Sequence, residues 1–106
     1  MKGAPIDKTL CENLKKYHYG QESAVSSREL EAAFHVDGRK LRRAVNRLRC
    51  DRYPICSNAN GYFYAARQSE IKATIAQLTG RISQIDAAKS GLLKSCEEKG
   101  GISFAG

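Results

Sequence analysis

Residues 37–53 hold seven Lys or Arg against two Asp, and these cations are the side chains with the clearest chemistry to offer. In DGRKLRRAVNRLRCDRYP, Leu41, Ala44, Val45 and Leu48 recur at the spacing of one apolar helical stripe, with Asp37 able to cap its start and Pro54 to stop it. At about 100° per residue, Arg39, Arg43, Asn46 and Cys50 fall on the opposite side, flanked by Lys40, Arg42, Arg47 and Arg49. Guanidinium forks can pair with phosphates or take both acceptors of a guanine edge, and Asn46 can do the same for adenine. The segment carries a net +5 of the chain's +7; residues 1–36 balance at five against five, and residues 54–106 carry six against four. Like charges this dense weaken a free helix, so local stability does not explain them and a polyanion would. On charge alone, a solvated basic face is an equal reading. The surrounding elements favour nucleic acid.

Those elements begin with Asp7, placed to cap a helix over residues 7–18 with Leu10, Leu14 and Tyr17 on one face. His18 at its end has no second His, Cys or carboxylate at ligand or triad spacing, and reads as a surface or helix-terminus histidine. Val25 suits a very short strand, and Ser26 with Glu29 matches a capping box for a helix over about residues 27–34 bearing Leu30, Ala33 and Phe34. A three-residue break, His35-Val36-Asp37, separates it from the basic helix. Short helix, tight turn and longer basic helix is the helix-turn-helix plan, whose second helix enters the major groove. The common glycine inside the turn is missing, and Gly38 follows the turn instead.

After Pro54, Ile55-Cys56-Ser57 and Tyr62-Phe63-Tyr64-Ala65 flank Asn58-Ala59-Asn60-Gly61, the pattern of a β-hairpin. Following a recognition helix, such a hairpin is a wing that can touch the minor groove or phosphates. Its tip is uncharged. Asn58 and Asn60 could hydrogen-bond phosphates, although turn geometry is the simpler account of them. Tyr62, Phe63 and Tyr64 could stack on bases or pack the sheet on the helices; alternation leaves one side outward and favours packing.

The stretch VSSRELEAAFHVDGRKLRRAVNRLRCDRYPICSNANGYFYA resembles the winged helix-turn-helix family. More narrowly, it looks like small winged-helix proteins encoded by phages and prophages of Gram-positive bacteria. RELEAAF, the basic helix and the pair YPICS…GYFYA fall in family order over residues 5–66. The resemblance implies a winged-helix fold and DNA binding, with protein interaction as the other use of such modules.

From Ser69, with Glu70 as first-turn acid, a further helix is expected over residues 69–95. Ile71, Ile75, Leu78, Ile82, Ile85, Lys89 and Leu92 step by four and three, a heptad seam, with Gly80 off it as a point of possible bending. Pairing with a second copy is preferred to folding back on the first helix. Residues 96–106 read as a flexible tail in which Ile102 and Phe104 could dock.

Length and composition fit one domain with an extension. No apolar run approaches the roughly 20 residues of a membrane span or resembles a signal peptide, so a cytoplasmic protein is expected. Cys11, Cys50, Cys56 and Cys96 lack CxxC spacing, which argues for reduced cysteines and against zinc, and of these Cys50 is expected to face outward. There is no phosphate-binding glycine loop, no carboxylate pair and no nucleophile beside a base, so neither enzyme activity nor a cofactor or metal is expected. The expectation is a mainly α chain with a small β-hairpin, a winged helix-turn-helix plus a long C-terminal helix. It would act as a homodimeric, sequence-preferring double-stranded DNA binder of a phage or mobile element. The alternatives are a phage module that meets a host protein, as an anti-CRISPR or anti-restriction inhibitor does, and a replication accessory protein.

Overall fold

Each helix of the N-terminal half forms where a short apolar stripe meets a stop signal, and a computed structural model describes residues 5–99. Among the described residues the chain is mainly helical, at 70%, with a two-stranded antiparallel hairpin and a long C-terminal helix. It divides into two units at Thr74/Ile75. The first unit extends past the expected boundary at residue 66 to take in the start of the last helix.

In the first unit, helix α1 (Asp7–Tyr17) buries Leu10, Cys11 and Leu14. Tyr17, expected on that face, is instead exposed, and Asp7 is the first helical residue rather than the cap, which is Ile6. A short 3₁₀ turn, Gln21–Ser23, leads to helix α2 (Ser27–Phe34). The Ser26 hydroxyl accepts from Glu29 N at 3.1 Å as the capping signal requires. Leu30 is buried and Phe34 half-buried, while Ala33 faces solvent. His35 then takes the left-handed conformation (φ 55°) that a turn glycine commonly supplies, and its N–H bonds back to Glu31 O. Helix α3 (Gly38–Cys50) buries Leu41, Ala44, Val45 and Leu48, the expected stripe. At Gly38 an added Cβ would sit 3.2 Å from both Glu31 Oε2 and Arg42 Nη1, the flexible tips of two side chains.

Strands β1 (Ile55–Asn58) and β2 (Gly61–Tyr64) pair in the register Ile55–Tyr64, Cys56–Phe63, Ser57–Tyr62, Asn58–Gly61. Val25 extends this sheet by a single antiparallel bridge to Tyr62, with both backbone bonds made, at 2.9 and 2.8 Å. Gly61 (φ 132°) passes so close to Val25 that a Cβ would overlap the Val25 carbonyl. Side chains alternate, but both faces of the hairpin are covered. Ile55, Tyr62 and Tyr64 join the core of α1, α2 and α3, while Cys56 and Phe63 pack with Ala65, Ala24 and Ile71. The three ring-bearing residues of β2 therefore pack, and none is a fully outward stacking strip.

Helix α4 (Gln68–Lys99) starts in this unit. The expected cap, Ser69, lies inside the helix. Glu70 supplies the cap instead: its Oε1 accepts from Ala66 N at 2.7 Å and Arg67 N at 3.1 Å, reaching back as an acid at the third helical position does. Its Oε2 accepts from Gln21 N at 3.0 Å, and the residue is only 3% exposed. Burial pushes the Glu70 carboxyl up, but the N–H donors of Gln21, Ala66 and Arg67 outweigh it and hold the group below the ordinary glutamate value. Thr74 is also buried, its hydroxyl accepting from Ser57 N at 3.3 Å.

In the second unit α4 continues without a break through Gly80 to Lys99, past the expected end at residue 95. Ile75, Ile82, Ile85, Leu92 and Leu93 are exposed there and Leu78 is half-buried. The expected docking residues Ile102 and Phe104 lie outside the described residues. No described helix is long and apolar enough to cross a membrane.

Candidate nucleic-acid interface

The basic surface is built from the start of α3. Asp37 is its N-cap, its carboxylate accepting from Lys40 N at 2.9 Å, and that backbone bond holds the Asp37 carboxyl below the ordinary aspartate value. The cap fixes where the helix begins, and the buried stripe fixes its rotation. Together they leave Arg39, Lys40, Arg42, Arg43 and Asn46 exposed. None of these five side chains makes a hydrogen bond or ion pair among the described residues. Four cations and an amide therefore share one solvent face; the acids beside it, Asp37 and Glu31, form no ion pair with them.

The two arginines further along are placed differently from expectation. Arg47, expected as a DNA contact on the flank of α3, instead forks onto Asp7, Nε to Oδ2 at 2.8 Å and Nη2 to Oδ1 at 2.9 Å, tying α3 to the first turn of α1. The Arg47 hydrogen bond is the main cause that holds the Asp7 carboxyl below its ordinary value. Arg49, on the same flank and likewise expected to contact DNA, turns inward: its Nε donates to Ile55 O at 2.7 Å and its Nη2 to Ser57 Oγ at 3.4 Å. It joins the end of α3 to strand β1. A carbonyl left unpaired in that half-buried position is costly, so a fork that reaches it acts as structure.

At the hairpin tip, Asn58 Oδ1 accepts from Asn60 N at 2.8 Å, an Asx-type turn, and Asn58 Nδ2 donates to Gln21 O at 3.4 Å. Asn58 is thus engaged in shaping the turn, while the Asn60 side chain is exposed. One cation outside α3 escaped the sequence reading. Lys15 Nζ lies 5.8 Å from the centre of the Tyr64 ring, which stacks on Tyr19 with centroids 6.3 Å apart. Nothing in the local pattern signals that cluster, because Tyr64 reaches α1 through tertiary packing.

The seam expected to join two chains is also divided. Ile71 packs against Cys56, Phe63 and Ala65 of its own chain, so the unpartnered part of the seam starts at Ile75.

A pocket of about 450 Å³ is lined by Asp7, Lys8, Cys11, Glu12, Lys15, Leu48, Asp51, Tyr53 and Tyr64. Burial pushes the Cys11 thiol up, away from the thiolate a nucleophile needs. Cys56 is likewise buried with its thiol pushed up by burial, whereas Cys96 is exposed together with Cys50, which departs from the expectation that Cys50 alone faces outward. Among the described residues no three His, Cys, Asp or Glu cluster as a metal site would require. Comparison with protein-family models, curated proteins and solved structures finds no match.

Proposed function

We propose that the chain is a double-stranded DNA-binding protein of the winged helix-turn-helix type, a regulator of a phage or other mobile element, in which α3 enters the major groove and α4 joins two copies. The observation that carries this reading is the unpaired face of α3. Arg39, Lys40, Arg42, Arg43 and Asn46 are exposed together on a capped, well-anchored helix with no acid paired to them. Such a face repels itself in water and is relieved by phosphates, while Arg39, Arg43 and Asn46, central on it, have the donors that read guanine and adenine edges. A homodimer would take two half-sites about one or two helical turns apart, on the order of 10 base pairs per turn.

One observation favours a second reading. The hairpin tip has no cation, so it adds no charge to phosphate binding, and an acidic surface on a host nucleic-acid enzyme would suit α3 equally well. Fluorescence anisotropy on random duplexes across a salt series, followed by selection from a randomised pool, separates the two. Enrichment of a motif supports DNA reading. No enrichment, or affinity no tighter than millimolar at moderate salt, would rule it out and leave the acidic protein partner.

A further inference from the structure

We propose that two copies of the chain pair through α4 as a parallel, in-register, two-stranded coil, with Arg81 of each copy bridging Asp86 of the other. This rests on the self-association reading above and adds direction, register and the pair of residues that sets them.

The apolar face from Ile75 onward is broad and mostly exposed: Ile75, Ile82, Ile85 and Leu92 are 54%, 66%, 63% and 73% exposed, and Leu78 is half-buried. In heptad terms Ile75, Ile82, Lys89 and Cys96 occupy a positions, and Leu78, Ile85 and Leu92 occupy d positions. β-Branched residues at a with leucine at most d positions favour a parallel pair over higher oligomers. The opposite side of the helix is small or polar, with Gln77, Ser83, Gln84 and Ser90 beside Gly80 and Gly91, where an added Cβ would meet nothing within 4 Å. The helix thus offers one seam.

The flanks decide the direction. In a parallel pair each g residue faces the e residue five positions on in the other chain. Here Arg81 faces Asp86, and Ala88 faces Leu93, one pair opposite in charge and the other apolar. Within one helix a separation of five residues places Arg81 and Asp86 about 140° apart, too far round to meet. Neither has an ion-pair partner among the described residues. An antiparallel pair that matches Ile75 with Leu92 and Ile82 with Ile85 instead sets Arg81 beside Ala88, Asp86 beside Thr79 and Lys89 against Leu78. Every charged flank then lacks a complement. In the parallel pair the two Lys89 side chains meet across the seam, which weakens association, but their stems can carry the ammonium groups out to water. A slip of one heptad would set Lys89 against Ile82 or Cys96, so Lys89 holds the register.

The test uses the full chain with Cys50→Ser, which leaves Cys96 as the exposed thiol among the described residues. Sedimentation equilibrium at tens of micromolar should give a dimer mass, and Ile75→Asp with Ile82→Asp should give a monomer. A monomeric wild type overturns both the self-association reading and the coil. Under copper–phenanthroline and oxygen, which takes up the two electrons and two protons released by the thiols, Cys96 of the two copies should join as a disulfide-linked dimer. In the antiparallel alternative the two thiols lie roughly 37 Å apart, at 1.5 Å per residue. A dimer mass with no disulfide therefore overturns the parallel register and leaves self-association standing. Arg81→Glu should raise the dimer dissociation constant about tenfold, since two symmetry-related pairs become repulsive. Adding Asp86→Arg should restore it to within about twofold, and failure to restore overturns the Arg81–Asp86 bridge.

Discussion

Along α3, Arg39, Lys40, Arg42 and Arg43 reach solvent without a partner among the described residues, whereas Arg47 and Arg49, a turn further on, are taken up by Asp7 and by strand β1. All six lie on a helix whose buried stripe is the same throughout. What separates them is what lies beside the helix. At its start the acids beside α3 are its own cap, Asp37, and Glu31 of α2, and neither forms an ion pair with its cations, while its end lies within reach of the first turn of α1 and the start of the hairpin. A basic residue there finds a carboxylate at Asp7 or an edge carbonyl at Ile55. A cluster of arginines in sequence is therefore two sets in space, one open to a ligand and one holding the fold.

The largest expected effect separates those sets by what each mutation damages. Under the DNA reading, Arg39→Ala and Arg43→Ala should each weaken binding to a selected site by about 1–3 kcal/mol and relax its base preference, with urea midpoints unchanged. Loss of stability without loss of selectivity would contradict the separation. Arg49→Ala should do the reverse, lowering stability by about 1–3 kcal/mol as the Ile55 carbonyl loses its charged donor. A further difference lies within the open set. Lys40 is a point charge on the flank, so Lys40→Ala should weaken all duplexes alike and lower the salt slope by about one unit. A change in base preference from Lys40→Ala would place that residue at the groove floor instead.

What could be read from sequence follows the range of the interactions. The α2 boundaries, the N-caps of α2 and α3 and the presence of the hairpin depend on neighbours within a few residues, and Ser26, Asp37 and the Asn58–Gly61 turn carry those signals openly. Arg47 meets Asp7 forty residues away, and Glu70 receives the Gln21 N–H from a separation of 49. Neither pairing leaves a periodic trace. Ile71 shows the same limit: its heptad spacing with Ile75 and Leu78 is continuous, yet the hairpin covers Ile71 and leaves Ile75 exposed. Periodicity marks an apolar face without saying what covers it. For Glu70 one local signal existed, since an acid three positions into a helix can reach back to its start, and it competed with the more familiar serine cap at Ser69.

The smallest effect concerns the closed set and turns on pH. Removing Arg47 should cost less than removing Arg49, because its fork lies at the surface, 51% exposed, where water competes for the ions. Its signature is the pH dependence. The Arg47 hydrogen bond lowers the Asp7 carboxyl in the folded chain, so between the folded value and the unfolded value of about 3.9 the unfolded chain binds more protons. The stabilisation is then fully present above the unfolded value and is lost as pH falls through the folded one. Urea unfolding of the wild type and of Arg47→Ala should therefore differ at pH 7 and converge as the pH is lowered through the carboxylate range, with Asp7→Asn following the Arg47→Ala curve. The Glu70 carboxyl, also held below its ordinary value, titrates in both proteins and cancels in the difference. A gap that persists unchanged at low pH would mean that Arg47 supports α3 by packing its stem, and that the ion pair with Asp7 contributes nothing to the contrast between the two halves of the helix.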